Sequence, residues 1–239
     1  MSAKKPQSPF SDCARCPYPV ADRLCRNPEG RGPENCPTRL FPDLVESGLA
    51  LCRERYPVFS CQASIQEAEG YADRELGYEQ VRPARTRLEE IAEFAEKMNF
   101  RRLGLAFCVG LRREAKTVAE FYLGRGFEVV SVICKVGCVD KEEIGLSGAQ
   151  KIVPHQPEAM CNPLVQALVM NRAGTELNIL LGLCVGHDSL FLKQAEAPCT
   201  VLAVKDRVLG HNPLAAVYNL DSYYRSLKKP AAKGPEEIS

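Results

Sequence analysis

The chain has 239 residues, 45% hydrophobic and 26% charged, enough for one domain with a sizeable core, or a domain with a small appendage. Thirty-one Lys and Arg against 30 Asp and Glu leave a net charge of +1, which argues against a partner such as nucleic acid held by a strong positive field. No apolar run reaches the roughly 18 residues of a membrane span, residues 178–185 coming nearest, and the amino end (Met1-Ser-Ala-Lys-Lys-Pro) has charge but no apolar stretch behind it, so the expectation is a cytoplasmic protein.

Residues 1–42 are rich in Pro, Gly, Arg and Cys and have neither helical nor strand periodicity. With so few large apolar side chains they cannot build a core of their own. This segment is disordered, or it is a knuckle organised by something bound to its cysteines. Residues 43–226 read as a helical lead-in followed by an α/β domain, and residues 227–239 as a disordered tail. Helices are expected at 43–56, 60–77 and 86–98. In the last, Leu88, Ile91, Ala95 and Met98 share one face. After Phe100 short apolar runs alternate with helical patterns. Strands are expected at 103–109, 127–134, 178–184 and 200–204, with helices at 112–124, 162–173 and 187–195. Asn162 and Pro163 supply an N-cap and a first-turn proline. Such alternation predicts a parallel sheet of about four strands with helices on both faces. Phe107-Cys-Val-Gly110 and Leu183-Cys-Val-Gly186 form a faint internal repeat, each closing a strand.

Twelve cysteines are far more than a chain of this length needs for disulfide staples, and in a reducing compartment they point to metal, iron–sulfur or thiol chemistry. Only three histidines are present, so a metal site must be mostly sulfur-liganded, which suits zinc or iron–sulfur clusters. Cys13-x2-Cys16 lets one tight turn present two sulfurs. Cys25 and Cys36 then close a tetrahedron around zinc or a [4Fe–4S] cluster. A closed site of that kind supplies folding energy to a segment that lacks a core.

The remaining cysteines follow the strands. Ligands of an open parallel sheet bind beyond its carboxyl ends. There the pattern places Cys108, Cys134 and Cys184 at strand ends, Cys138 in a loop and Cys161 before a helix. Arg112, His187, Lys205, Asp206, Arg207 and His211 fall on the same edge. The bland alternative is that each cysteine is a small buried hydrophobe. That reading suits Cys52, Cys61 and Cys199, and His155 reads as a surface residue.

Phe107-Cys-Val-Gly-Leu111, Cys134-Lys-Val-Gly137, Cys161-Asn-Pro163, the run from Gly182 to Phe191 and the run from Lys205 to Pro213 resemble a family of uncharacterised cysteine-rich proteins. The family is found mainly in anaerobic prokaryotes and is described as metal-binding or zinc-binding. Glu67-Ala-Glu-Gly-Tyr71 and the amino-terminal cysteines are similar to it too. The resemblance implies metal at Cys13, Cys16, Cys25 and Cys36, and marks Cys108, Cys134, Cys161 and Cys184 as signature positions; Cys138 is outside the pattern.

The expectation is therefore a cytoplasmic metal-binding protein with two centres. One is the amino-terminal four-cysteine site. The other is a redox or iron–sulfur site at the sheet's carboxyl edge, using Cys108, Cys134, Cys138, Cys161 and Cys184, with Arg112 as anion anchor and His187 and His211 as proton donors or supporting groups. Two alternatives stand beside it: a non-catalytic zinc carrier or partner-binding protein, and a metal-free thiol enzyme with Cys184 as nucleophile and His187 as base. Whether a reaction is catalysed is left open.

Overall fold

A computed structural model describes residues 10–229; the expected beginning of the knuckle and most of the expected tail, residues 1–9 and 230–239, lie outside them. The chain divides into two compact units, the first ending at Ile65 and the second starting at Gln66, so the division falls inside the helical lead-in rather than at 42/43.

The first unit is built from turns and short helices. Single 3-10 turns cover Cys13–Arg15 and Val20–Asp22. An isolated parallel bridge joins Arg23 to Arg31, with Leu24 N–H donating to Arg31 O and Arg31 N–H to Asp22 O. Gly30 is required there. A Cβ at that position would stand 2.6 Å from the Arg23 carbonyl carbon. Helices Pro37–Leu40 and Pro42–Ala50 each start with proline at the first position, and the second continues as a π-helical stretch, Leu51–Arg55. None of these three elements buries a residue. Cys52 and Cys61 are exposed, a correction to their reading as core residues.

In the second unit, the expected helix at 60–77 is cut short. It ends at Glu69, and Tyr71–Ala72 pairs antiparallel with Arg82–Pro83. Helix α1 (Arg87–Lys97) follows a capping box in which Thr86 and Glu89 satisfy each other's backbone amides. The rest is the alternation expected from the sequence: β1 (Arg102–Phe107), α2 (Arg112–Gly124), β2 (Glu128–Ile133), α3 (Pro163–Ala173), β3 (Leu177–Leu183), α4 (His187–Gln194) and β4 (Cys199–Val204). The sheet is parallel throughout, in the order β2-β1-β3-β4. Every residue of β3 is buried, as expected of a strand covered on both faces.

On one face Leu103, Leu105, Ile179 and Leu181 pack with Ile91 and Ala95 of α1 and Tyr122 of α2. On the other, Ala106, Val132, Leu180 and Leu183 pack with Met170 of α3 and Phe191 of α4. The alternation in β3 breaks at Gly182, whose φ is 68° and beside which the register with β4 shifts. Leu181 and Leu183 therefore lie on opposite faces although they are two residues apart.

This packing makes two substitutions informative. A Cβ on Gly104 would sit 2.1 Å from Asn178 Oδ1 and 2.8 Å from Met170 Sδ. Both neighbours are fully buried, so Gly104→Ala should cost about 3 kcal/mol in urea unfolding. Glu176 accepts the amides of Arg101 (2.6 Å) and Arg102 (2.9 Å), and those bonds hold its carboxyl below its ordinary value of 4.5. A lowered acid contributes fully above its unfolded value, and the contribution disappears as pH falls through the folded one. Glu176→Gln should be about 1 kcal/mol less stable than wild type near pH 7. The gap should close as acid unfolding is followed below about pH 4.

Candidate functional site

In the first unit the four amino-terminal cysteines come together. Cys13, Cys16, Cys25 and Cys36 line one cavity of about 50 Å³. The 3-10 turn brings Cys16 N–H to Cys13 O at 3.3 Å. Cys25 lies in the turn closed by the Arg23–Arg31 bridge, and Cys36 is the N-cap of helix Pro37–Leu40. Gly32 leaves that last sulfur its room: a Cβ there would be 3.0 Å from Cys36 Sγ. Four thiols thus line one small cavity, with a glycine where a side chain would press on a sulfur.

In the second unit the common strand direction carries Cys108 and Cys134 to the same edge. Cys134 N–H donates to Phe107 O at 2.9 Å, and Asn162 N–H donates to Cys134 O at 2.7 Å. The second bond pins the start of α3 beside the Cys134 turn, and Asn162 caps the helix through Val165 N–H. Cys161 is thereby set 3.7 Å, sulfur to sulfur, from Cys134. Cys134 also shares a buried cluster with Cys108 and accepts Val109 N–H at 3.3 Å. The three sulfurs form a chain with Cys134 in the middle. Gln166 ties the strand ends above them, its Nε2 donating to Val132 O (2.7 Å) and Phe107 O (3.3 Å).

The proton on this chain is unevenly held. Hydrogen bonds to Cys108 and then to Cys161 push the Cys134 thiol far up. The same contact, seen from the other side, pulls Cys108 and Cys161 down to about 5. Gly110 N–H and Lys205 add to the effect at Cys108, and the charges of Lys135 and His187 at Cys161. The surroundings thus favour charge on the flanking sulfurs and the proton on the central one. The chain lies beneath the edge rather than open on it: Cys134 is 2% exposed and Cys108 8%, beside Leu180, Met170 and Phe191.

Lys205 has a larger part than the sequence suggested. It was legible only as one charge in Lys205-Asp206-Arg207. In the structure its Nζ lies 3.6 Å and 3.8 Å from where Cβ atoms on Gly110 and Gly182 would be, so both glycines make room for the ammonium beside Cys108. Gln166 was missed; its signal was a polar residue at an inward position of α3.

The other expected site residues are placed differently. Cys184 reaches the edge, but Gly182 turns the strand after Leu181, and Cys184 Sγ accepts from Arg207 Nη2 at 3.2 Å. His187 donates its backbone N–H to Cys184 O at 3.0 Å. Its ring Nδ1 is buried without a hydrogen-bond partner, so Cys184 and this nitrogen are not joined. His211 Nδ1 stands 3.0 Å from Val204 O and 3.2 Å from Asp206 N, spent on the turn after β4. Cys138 is exposed with φ 51°, and Arg112 is exposed at the start of α2. Among the described residues, no three His, Cys, Asp or Glu side chains are already gathered closely enough to hold a metal ion between them, and no helix is long and apolar enough to cross a membrane.

Residues 36–202 match the family described as "Protein of unknown function (DUF1847)". The chain belongs to that family. The matched span includes the three linked thiols and leaves out Cys13, Cys16 and Cys25. An uncharacterized protein of Methanocaldococcus jannaschii, MJ0455, is 50% identical over 145 residues, 61% of this chain and 71% of the relative. Among solved structures there is a distant likeness to Dph2 from Pyrococcus horikoshii with a 4Fe-4S cluster, at 17% identity and a TM-score of 0.32. It covers 61% of this chain and 33% of that one, so the chain spans about a third of that protein's length.

One prediction concerns the polar tie above the sulfurs. Gln166→Leu removes donors to two strand-end carbonyls and should cost about 2 kcal/mol, measured by denaturant unfolding.

Proposed function

We propose that the chain is a cytoplasmic metalloprotein with two sulfur centres. Cys13, Cys16, Cys25 and Cys36 hold a structural zinc in the first unit, and Cys108, Cys134 and Cys161 hold an iron–sulfur centre with a redox role at the carboxyl edge of the sheet. The observation that carries this reading is that two cysteines far from Cys134 in sequence lie against it, Cys161 with its sulfur 3.7 Å away and Cys108 in the same buried cluster. Hydrophobic packing does not require three thiols to be drawn from two strand ends and a helix start to one edge. A metal would give a reason for it, because thiolates are its donors.

The donor set fits. Sulfurs of a cluster are tuned by amide hydrogen bonds, nearby charge and exclusion of solvent, and each is present here. Val109 N–H points at Cys134, Gly110 N–H and Lys205 at Cys108, and Met170, Leu180 and Phe191 cover the thiols. An iron–sulfur cluster bound there would supply one-electron chemistry. The protein's part is to compensate added negative charge through Lys205 and the two amides, and to keep water from the sulfurs.

Metal and sulfide analysis of anaerobically purified protein tests the reading. Brown protein with iron, acid-labile sulfide and about one zinc is expected. Cys134→Ala should abolish iron and sulfide and leave zinc in place, while Cys36→Ala should do the reverse. Colourless protein carrying only zinc would favour the carrier reading, and metal content unchanged by Cys134→Ala would exclude the thiol chain as a ligand set.

A further inference from the structure

Two thiols in contact have a chemistry of their own, which needs no metal. We infer that Cys134 and Cys161 form a reversible dithiol–disulfide couple in the metal-free chain, with a low-molecular-weight disulfide of the glutathione disulfide kind as reaction partner. The couple stands on the contact between the two sulfurs and does not rest on the iron–sulfur reading.

The backbone brings the pair together and keeps it together. The sulfurs are 3.7 Å apart, so a bond of about 2.05 Å needs a further approach of roughly 1.7 Å, a displacement on the scale of a side-chain rotation. Cys161 is clamped on both sides: Asn162 N–H donates to Cys134 O and Met160 N–H to Val139 O, each at 2.7 Å. The loop that joins the two cysteines is braced internally. The Lys151 side chain, 4% exposed, pairs with Asp140 and Glu142 at 2.8 Å each, and Lys141 pairs with Glu158 at 2.6 Å. Because these bonds already hold the loop closed, joining its ends costs little further entropy.

Unequal exposure divides the roles. Cys161 is half-buried just before α3, whereas Cys134 is 2% exposed, so an incoming disulfide meets Cys161 first. The Cys161 sulfur, its proton given up to water, attacks one sulfur of the small disulfide. The S–S bond of the partner breaks, a mixed disulfide forms at Cys161 and one small thiol leaves. Cys134 then attacks the Cys161 sulfur, and its proton passes to the departing thiolate. That step forms the Cys134–Cys161 bond and releases the second small thiol. The protein loses two electrons and two protons, the small disulfide gains both, and excess thiol reverses the exchange. Cys108, 8% exposed in the same cluster as Cys134, takes no part.

The test uses full-length protein, reduced anaerobically with a metal chelator present, then equilibrated with glutathione disulfide, quenched in acid, alkylated unfolded and digested. Trypsin cuts after Lys135 and Lys151 and so releases Cys134 and Cys161 on separate peptides, which mass spectrometry finds joined only where the couple has closed. In wild type the fraction of Cys134 left open to alkylation should fall about tenfold and return on addition of dithiothreitol. Early samples should carry glutathione on Cys161 before the two peptides are linked. Cys161→Ser should leave Cys134 unmodified, Cys134→Ser should stop at the mixed disulfide on Cys161, and Cys108→Ser should form the link as wild type does, each checked for folding by circular dichroism. Wild-type protein that stays unlinked, Cys134 joined to Cys108 instead, or glutathione on Cys134 ahead of Cys161 overturns the couple. The early wild-type samples carry the order of attack even where Cys134→Ser does not fold. Iron and sulfide content of protein that has met no chelator decides the iron–sulfur reading separately, and either result there leaves the couple standing or fallen on its own evidence.

Discussion

All four strands of the sheet point the same way, and the chemistry of the larger unit depends on that constraint. A parallel strand must be left at its carboxyl end and re-entered from the amino end by a crossover. The residues just past each strand therefore meet at one edge, together with the first residues of each following helix. Cys108, Cys134 and Cys161 are far apart in sequence and become neighbours for this reason alone. The two backbone bonds at Cys134, from its own N–H to Phe107 O and from Asn162 N–H to its carbonyl, convert a shared edge into sulfur contact.

Burial shapes what those sulfurs do. A lone thiol in an apolar pocket keeps its proton and is inert. Here the pocket holds three, and amides and an ammonium are aimed at two of them. The arrangement favours negative charge on sulfur where desolvation opposes it. Such conflict is what the proposed metal would relieve. The first unit solves a different problem by similar means. Its short helices bury no residue, so the proposed zinc at the four-cysteine cavity would take the place of a core.

Much of the larger unit was legible in the order of its residues. Residues 103–109 and 178–184 are nearly unbroken apolar runs, and the structure starts and ends those strands within one or two residues of the expected limits. Asn162-Pro163 announced the start of α3 and the position of Cys161. The helix expected at 60–77 ends early at Glu69, and residues beyond it pair with Arg82–Pro83, a contact between segments that local periodicity does not encode. Lys205 and Gln166 were visible as residues but not as neighbours of sulfur or of strand ends.

Composition and periodicity by themselves determined the α/β class, the edge to which the thiols go and the clustering of cysteines at the amino end. These are consequences of local pattern, and chain direction propagates them without knowledge of distant contacts. Which thiols touch was decided only by the tertiary structure. One glycine in a left-handed conformation shifts β3 by a residue, and a shift of one residue in a strand exchanges its faces. That exchange parts Cys184 from Cys108 although the two stand in the same three-residue motif. Leu111 stands where a Cβ on residue 182 would be, a contact between segments that is written in no single stretch of the chain.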